Sequence, residues 1–487
     1  MVNGSLTGQP AAPESGLVMD EPPIKWCSVT LSEIVKRGKR LEASVYDVEA
    51  KQARETIARG RYPLTTLGGE HGLTTSYTRG RFKRIWVKES DYPIYQPSSI
   101  MDIKPSPDGY ISALTDTDID ALRVSKGQVL MTCSGTIGKV SYVSDTLDHL
   151  IFSHDLLRIN CRNPSDAGYV YTYLKSKIGN KILLTNSYGA VITHIEPEHL
   201  ATVPIPDAPG EIKRSIHNLV VRSYALRDES NRLIDRAVQL LTDALQLPKL
   251  EAFDADRDAP VETFQVKLSD MDCRLDASYH IPVVSALVRH LKQHAEEVTT
   301  IGDNRVSKGV FLPGRFKRVY VEKGYGRVFF GGKQLLELDP ENTKYLSTSK
   351  HDKRMREELE LKENTTLVTR SGTVGKTALV PRHWVNWVAS EDIIRIVPAS
   401  NDIAGYLYIY LFSEYGAELI QRYAYGSVIS HVDDTHIRQI PIPLLKNHGA
   451  QQEINALALE ANKKRYEAYL LEQQALNVLE QDVLRAK

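Results

Sequence analysis

The chain is expected to fold as an α+β protein in which two repeated, strand-rich globular units are separated by two long helices forming an antiparallel coiled coil, with pseudo-twofold symmetry. Three observations predict this. The chain repeats itself in order, the front of each copy alternates β-branched, aromatic and polar residues between Gly and Pro, and the back of each copy carries a helical seam.

The repeat is explicit. RLEAS at Arg40 answers RLDAS at Arg274, and GRFKRIWV at Gly80 answers GRFKRVYV at Gly314, both 234 residues apart. The offset then becomes 237: SGTIGK at Ser134 answers SGTVGK at Ser371, and SHDLLRI at Ser153 answers SEDIIRI at Ser390. GYVYTYLKS at Gly168, YGAVITHI at Tyr188 and PIP at Pro204 return as GYLYIYLFS at Gly405, YGSVISHV at Tyr425 and PIP at Pro441. After Gly210, apolar or small residues recur at spacings of four and three through Ile212, Ile216, Leu219, Ser223, Leu226, Ser230, Leu233, Ala237, Leu240, Ala244 and Leu247. Pro248 stops this seam. A second, less regular seam follows Gln451 through Ile454, Leu457, Ala461, Ala468, Leu471, Ala475 and Val478. The expected division is a flexible leader over 1–20, a first globular unit over 21–210, a helix over 211–247, a linker over 248–260, a second unit over 261–448 and a helix over 449–487. Alone, neither helix can bury its seam, so pairing is the economical solution.

Composition narrows the function classes. Of 487 residues, 42% are hydrophobic and 25% charged, the balance of a globular chain, and no apolar run is long enough for a membrane span. Four scattered cysteines lack zinc or redox spacing, which fits a reducing cytoplasm. With 61 basic and 61 acidic residues, attraction to polyanions must come from local segregation. Arg79, Arg81, Lys83 and Arg84, with Arg315, Lys317 and Arg318 in the second copy, supply it. On a strand, Arg81 and Lys83 share one face while Phe82 and Arg84 share the other, an arrangement suited to phosphate contact and guanine reading. A solvated strand edge accounts for the same residues.

SGTIGK and SGTVGK are not nucleotide P-loops, because Cys133 and Arg370 stand where the motif needs glycine. Their paired glycines can still make a turn whose N–H groups, with Ser134, Thr136 and Lys139, or Ser371, Thr373 and Lys376, seat a DNA phosphate. A plain strand connection is equally open. His194 and His431 follow Thr193 and Ser430, hydroxyls with an acid three residues on, which reads as a capping box and makes both histidines structural. No hydrolase, zinc-protease, dinucleotide or Walker pattern occurs. Glu21-Pro22-Pro23-Ile24 lacks the aromatic of an adenine-methyltransferase quartet. No catalytic, cofactor or metal site is therefore assigned.

From about Trp26 onward the chain resembles the specificity subunit of type I restriction-modification systems, on the doubled series at Arg40, Ser134 and Pro204 and at Arg274, Ser371 and Pro441. The resemblance implies two target recognition domains, each reading half of a bipartite double-stranded DNA site, and helices that set the gap and dock two methyltransferase subunits. It also implies S-adenosylmethionine bound by those partners, adenine N6 as the methylated atom, and room for a restriction or translocase subunit. In that family the two recognition domains usually diverge, yet RFKR stands in both halves here, as scaffold or as a sign of shared bases. The poorly matched 89–130 and 323–367 are the expected location of base selection. A non-DNA scaffold that assembles partners on its coiled coil is the alternative.

Overall fold

The computed structural model describes residues 26–189, 192–253, 263–271, 274–340 and 343–485. The leader over 1–20 and the linker beyond Phe253 lie outside them. The first half contributes β1 Leu64–Thr66, β2 Thr74–Tyr77, β3 Trp86–Val87, β4 Pro93–Tyr95, β5 Gly109–Ile111, β6 Val129–Thr132, β7 Val140–Tyr142, β8 Ile151–Phe152, β9 Leu156–Cys161 and β10 Pro204–Pro206. The second contributes β11 Glu297–Thr300, β12 Ser307–Phe311, β13 Tyr320–Val321, β14 Gly326–Phe330, β15 Lys344–Ser347, β16 Thr366–Thr369, β17 Thr377–Leu379, β18 Val388–Ala389, β19 Ile393–Pro398 and β20 Pro441–Leu444.

Each half forms the same three sheets. The orders β2-β9-β6-β7, β3-β5-β4-β8 and β1-β10 recur as β12-β19-β16-β17, β13-β15-β14-β18 and β11-β20. Even the parallel pair recurs, β4 with β8 and β14 with β18, among ladders otherwise antiparallel.

Several repeated motifs are explained by packing. In GYVYTYL and GYLYIYL, Tyr169 and Tyr173 donate to the carbonyls of Pro206 and Pro204, as Tyr406 and Tyr410 do to Pro443 and Pro441. The phenols thus satisfy carbonyls of the short PIP strands that would otherwise be buried unpaired. The arginine of SHDLLRI is the fully buried Arg158, which donates to the carbonyls of Leu156, Leu122 and Phe152. Arg395 repeats this with Ser390, Ile393 and Ala389. Gly168 is required because a Cβ there would stand 2.5 Å from the His217 Cα, and at Gly405 it would stand 2.3 Å from the Asn455 carbonyl oxygen. These glycines let each half press directly on its own long helix.

The first long helix spans Gly210–Ala244, 35 residues, or about 52 Å at about 1.5 Å per residue. It ends before Leu247, short of the expected 211–247, because Gln246 turns left-handed at φ 49° and the Leu247 N–H returns to the Thr242 carbonyl at 3.0 Å. The second spans His448–Val478 and runs on into a π-helical turn over Leu479–Leu484, so the expected 449–487 is not one regular helix. The pair is antiparallel: Ile216 and Val220 share a core with Ala475 and Val483, while Ile234 and Leu241 share one with Ile454 and Ala458. The C-terminal end of each helix thereby enters the opposite half's core. Ile216, Ser223, Ser230 and Ala237 are buried as the seam requires. The intervening positions shift by one residue, to Val220, Ile234 and Leu241, leaving Leu219, Leu226, Leu233 and Leu240 half-buried on the flank. Alanines at 458, 461, 468 and 475 on the partner leave space for this closer seam.

Candidate nucleic-acid interface

The GRFKR blocks are extended but unpaired: the segment between β2 and β3 joins no ladder until Trp86. The alternation expected of a strand nevertheless holds. Arg81 and Lys83 are exposed while Phe82 and Arg84 are half-buried, and Arg315 and Lys317 are exposed while Phe316 and Arg318 are half-buried. The aromatic side chains anchor the segment and turn its outer cations to solvent. Arg84 stacks 5.8 Å from the ring centres of both Phe82 and Trp86, and Arg79 lies 4.7 Å over Tyr77. Among the described residues, no acid pairs with Arg81, Lys83, Arg315 or Lys317.

Arg318 behaves differently from the expectation of a DNA contact. It is bound to the buried Glu391 at 2.6 Å and stacks 5.1 Å over Phe329. The position of Glu391 in SEDIIRI is held by His154 in SHDLLRI. Burial holds the His154 imidazole below its ordinary range, against Asp155 and with help from Arg84 and Arg81. Identical RFKR letters therefore meet an anionic wall in one half and an imidazole in the other.

The SGTIGK and SGTVGK segments are hairpin turns joining β6 to β7 and β16 to β17. Gly135 and Gly138 take φ of 70° and 81°, and Gly372 and Gly375 of 76° and 89°, which explains the glycines. Their N–H groups are not free for phosphate. Gly138 donates to Thr132 O at 3.0 Å and Gly135 to Thr193 O at 3.0 Å, while Gly375 donates to Thr369 O at 3.1 Å and Gly372 to Ser430 O at 3.3 Å. Ser134 and Ser371 are half-buried, each bridged to His194 or His431, whereas Thr136 and Thr373 are exposed. Lys139 is taken too, by Glu337 of the other half at 2.7 Å. These glycine N–H groups and Lys139 are engaged within the protein, two of the N–H groups with the carbonyls of Thr193 and Ser430, and are not free to seat a phosphate.

The capping boxes fall three residues later than expected. Glu196 and Asp433, not Thr193 and Ser430, cap Pro197–Ala201 and Asp434–Gln439, with His199 and His436 as reciprocal partners. Between the Tyr188–His194 and Tyr425–His431 bridges, Ile192, Val428 and Ile429 stand at 55%, 92% and 53% exposure, outside any strand. Sequence reasoning missed these apolar tips because β-branched residues also signal strands. The hydrogen bond to Glu196 raises the Tyr188 phenol, and the Arg81 charge opposes that rise. No group of His, Cys, Asp and Glu among the described residues could hold a metal ion, and no helix is long and apolar enough to cross a membrane.

Residues 327–477 match the family model of the type I restriction modification DNA specificity domain. A search of curated proteins finds no match. Among solved structures, the chain is similar to the S subunit of a type I restriction-modification system from M. genitalium, at 15% identity over 87% of this chain and 95% of that one, TM-score 0.33. It is also similar to an HsdS subunit from Thermoanaerobacter tengcongensis, at 13% identity over 86% and 98%, TM-score 0.26.

Proposed function

We propose that the chain, whose residues 327–477 match the type I restriction modification DNA specificity domain, is a DNA specificity subunit of such a system, and that its two halves grip one duplex at two separated half-sites, each through its own GRFKR segment and apolar loop. The observation that carries this is the doubled pair of unpaired, outward cations, Arg81 with Lys83 and Arg315 with Lys317, each on an aromatic-anchored extended segment. Backbone phosphates take such cations, and the neighbouring loops meet base edges or the groove wall. The 89–130 and 323–367 stretches supply base selection. The helix pair holds the halves apart and docks two methyltransferase subunits. Those partners bind S-adenosylmethionine and methylate adenine N6, and a restriction or translocase subunit joins the same assembly. This chain itself performs no chemistry, and the setting is the cytoplasm. DNA binding by the purified chain across a salt series tests the reading: neutralising N phosphates gives log K against log salt a slope near −0.9N. A flat series rules it out.

A further inference from the structure

The pseudo-twofold axis passes between two acids that the repeat makes equivalent. Asp102 and Glu337, each followed three residues later by proline, form an antiparallel bridge with one another, and the Ile103 N–H donates to the Leu336 carbonyl at 2.9 Å. The two globular units therefore touch directly, not only through the helices. At this contact a lysine of one glycine turn crosses over. Lys139 of the first unit reaches Glu337 of the second at 2.7 Å, with side chains 15% and 6% exposed. A cleft of about 1460 Å³ opens beside them, lined by both turns, with Lys376 of the second unit and Asp102 of the first in its wall.

The Lys139–Glu337 pair is not needed to complete a unit's own core, since each half has separate apolar clusters and the partners come from opposite halves. A pair this buried costs desolvation that only good geometry offsets, so removing one partner exposes the full penalty. What the contact determines is the placement of one unit against the other.

We propose that the Lys139–Glu337 pair, set on the Asp102–Glu337 backbone bridge, forms an interdomain clasp that fixes the distance between the two DNA-reading faces and hence the tolerated gap between half-sites. This rests on the reading of two half-sites given above. Methylated adenines are mapped genome-wide in cells carrying the full chain with its native partners, for wild type, Lys139→Glu, Glu337→Lys and the double exchange. Wild type gives bipartite sites of one gap length. Each single variant gives the same half-site sequences with gaps one base pair shorter or longer raised at least tenfold above wild type, and the double exchange restores the single gap. Should a charge reversal deplete the folded chain, Glu337→Gln, which keeps an acceptor, carries the same measurement. Folded single variants that keep one gap length overturn the clasp. A wild type that yields no bipartite sites overturns the two-half-site reading instead.

Discussion

Arg84 and Arg318 are the same letter in the same repeated block, yet only Arg318 is neutralised, because Glu391 stands where the first half has His154. The sequence shows the block twice but cannot show that a residue some seventy positions downstream closes on one copy. Arg81 and Lys83 carry no such partner. Replacing both with alanine is expected to weaken DNA binding across all sequences and to reduce the magnitude of the salt slope by about 2, roughly 0.9 for each phosphate left without its cation, as read by a binding titration. Glu391→Gln is expected to leave the fold intact and to strengthen second-half binding by freeing Arg318; unchanged affinity would assign Arg318 to packing alone. Asp102 yields a pH prediction. Burial raises its carboxyl to about 6, with Glu337 and Asp108 pushing the same way and Lys376 and Lys139 opposing. A carboxyl whose folded pKa exceeds its unfolded value binds more protons when folded, so its contribution to stability falls as pH rises from about 4 to about 6. Asp102→Asn is expected to remove that fall. The readout is the wild-type minus variant difference in urea midpoint, which cancels His383, another buried group whose pKa is shifted, down to about 4.

The long helices were legible because a stripe repeating every seven residues over 35 has no other solution, and proline and the local turn ended the first. Their phase was less legible. Periodicity fixes which residues recur, whereas the one-residue shift to Val220, Ile234 and Leu241 depends on the alanines opposite. The short strands were legible as a class but not one by one. The Tyr188 and Tyr425 loops carry β-branched residues for exposure, not for a ladder. Val428→Ser with Ile429→Ser is accordingly expected to leave the thermal midpoint within a degree or two, since both side chains are exposed, while lowering specific DNA affinity several-fold. Equal affinity for cognate duplex in variant and wild type would remove the loop from the interface.

Across the molecule, the helix pair and the direct contact at Asp102 and Glu337 are two constraints on one distance. Deleting a heptad from the first helix is therefore expected to do more than shorten the gap. It must also open the Lys139–Glu337 pair, and mapping of methylated sites should show fewer sites as well as a new spacing. A shifted gap with undiminished occupancy would mean the helices alone set it. The repeat made two equivalent units visible in the sequence. It could not show that they meet, because the contacting residues 100–105 and 335–340 share almost no letters.

Where the helices cross, the symmetry fails. Glu472 is buried among Tyr171, Lys175 at 3.1 Å and Arg227 at 2.9 Å, the last an ion pair without hydrogen-bond alignment. Burial alone would raise its carboxyl, but Arg227 and Lys175 hold it well below the usual carboxylate range. The corresponding positions around Arg465 are Tyr408, Phe412 and Ile234, with no acid. Glu472→Ala is expected to cost about 3–5 kcal/mol in urea unfolding, because it removes the buried partner of Arg227 and leaves Lys175 with Asp339 at 3.6 Å. The same unequal crossing gives the molecule a front and a back. Two copies of either half could not reproduce both environments, so under the two-half-site reading proposed above the protein offers a duplex two unlike ends, and a site need not be a palindrome to be occupied.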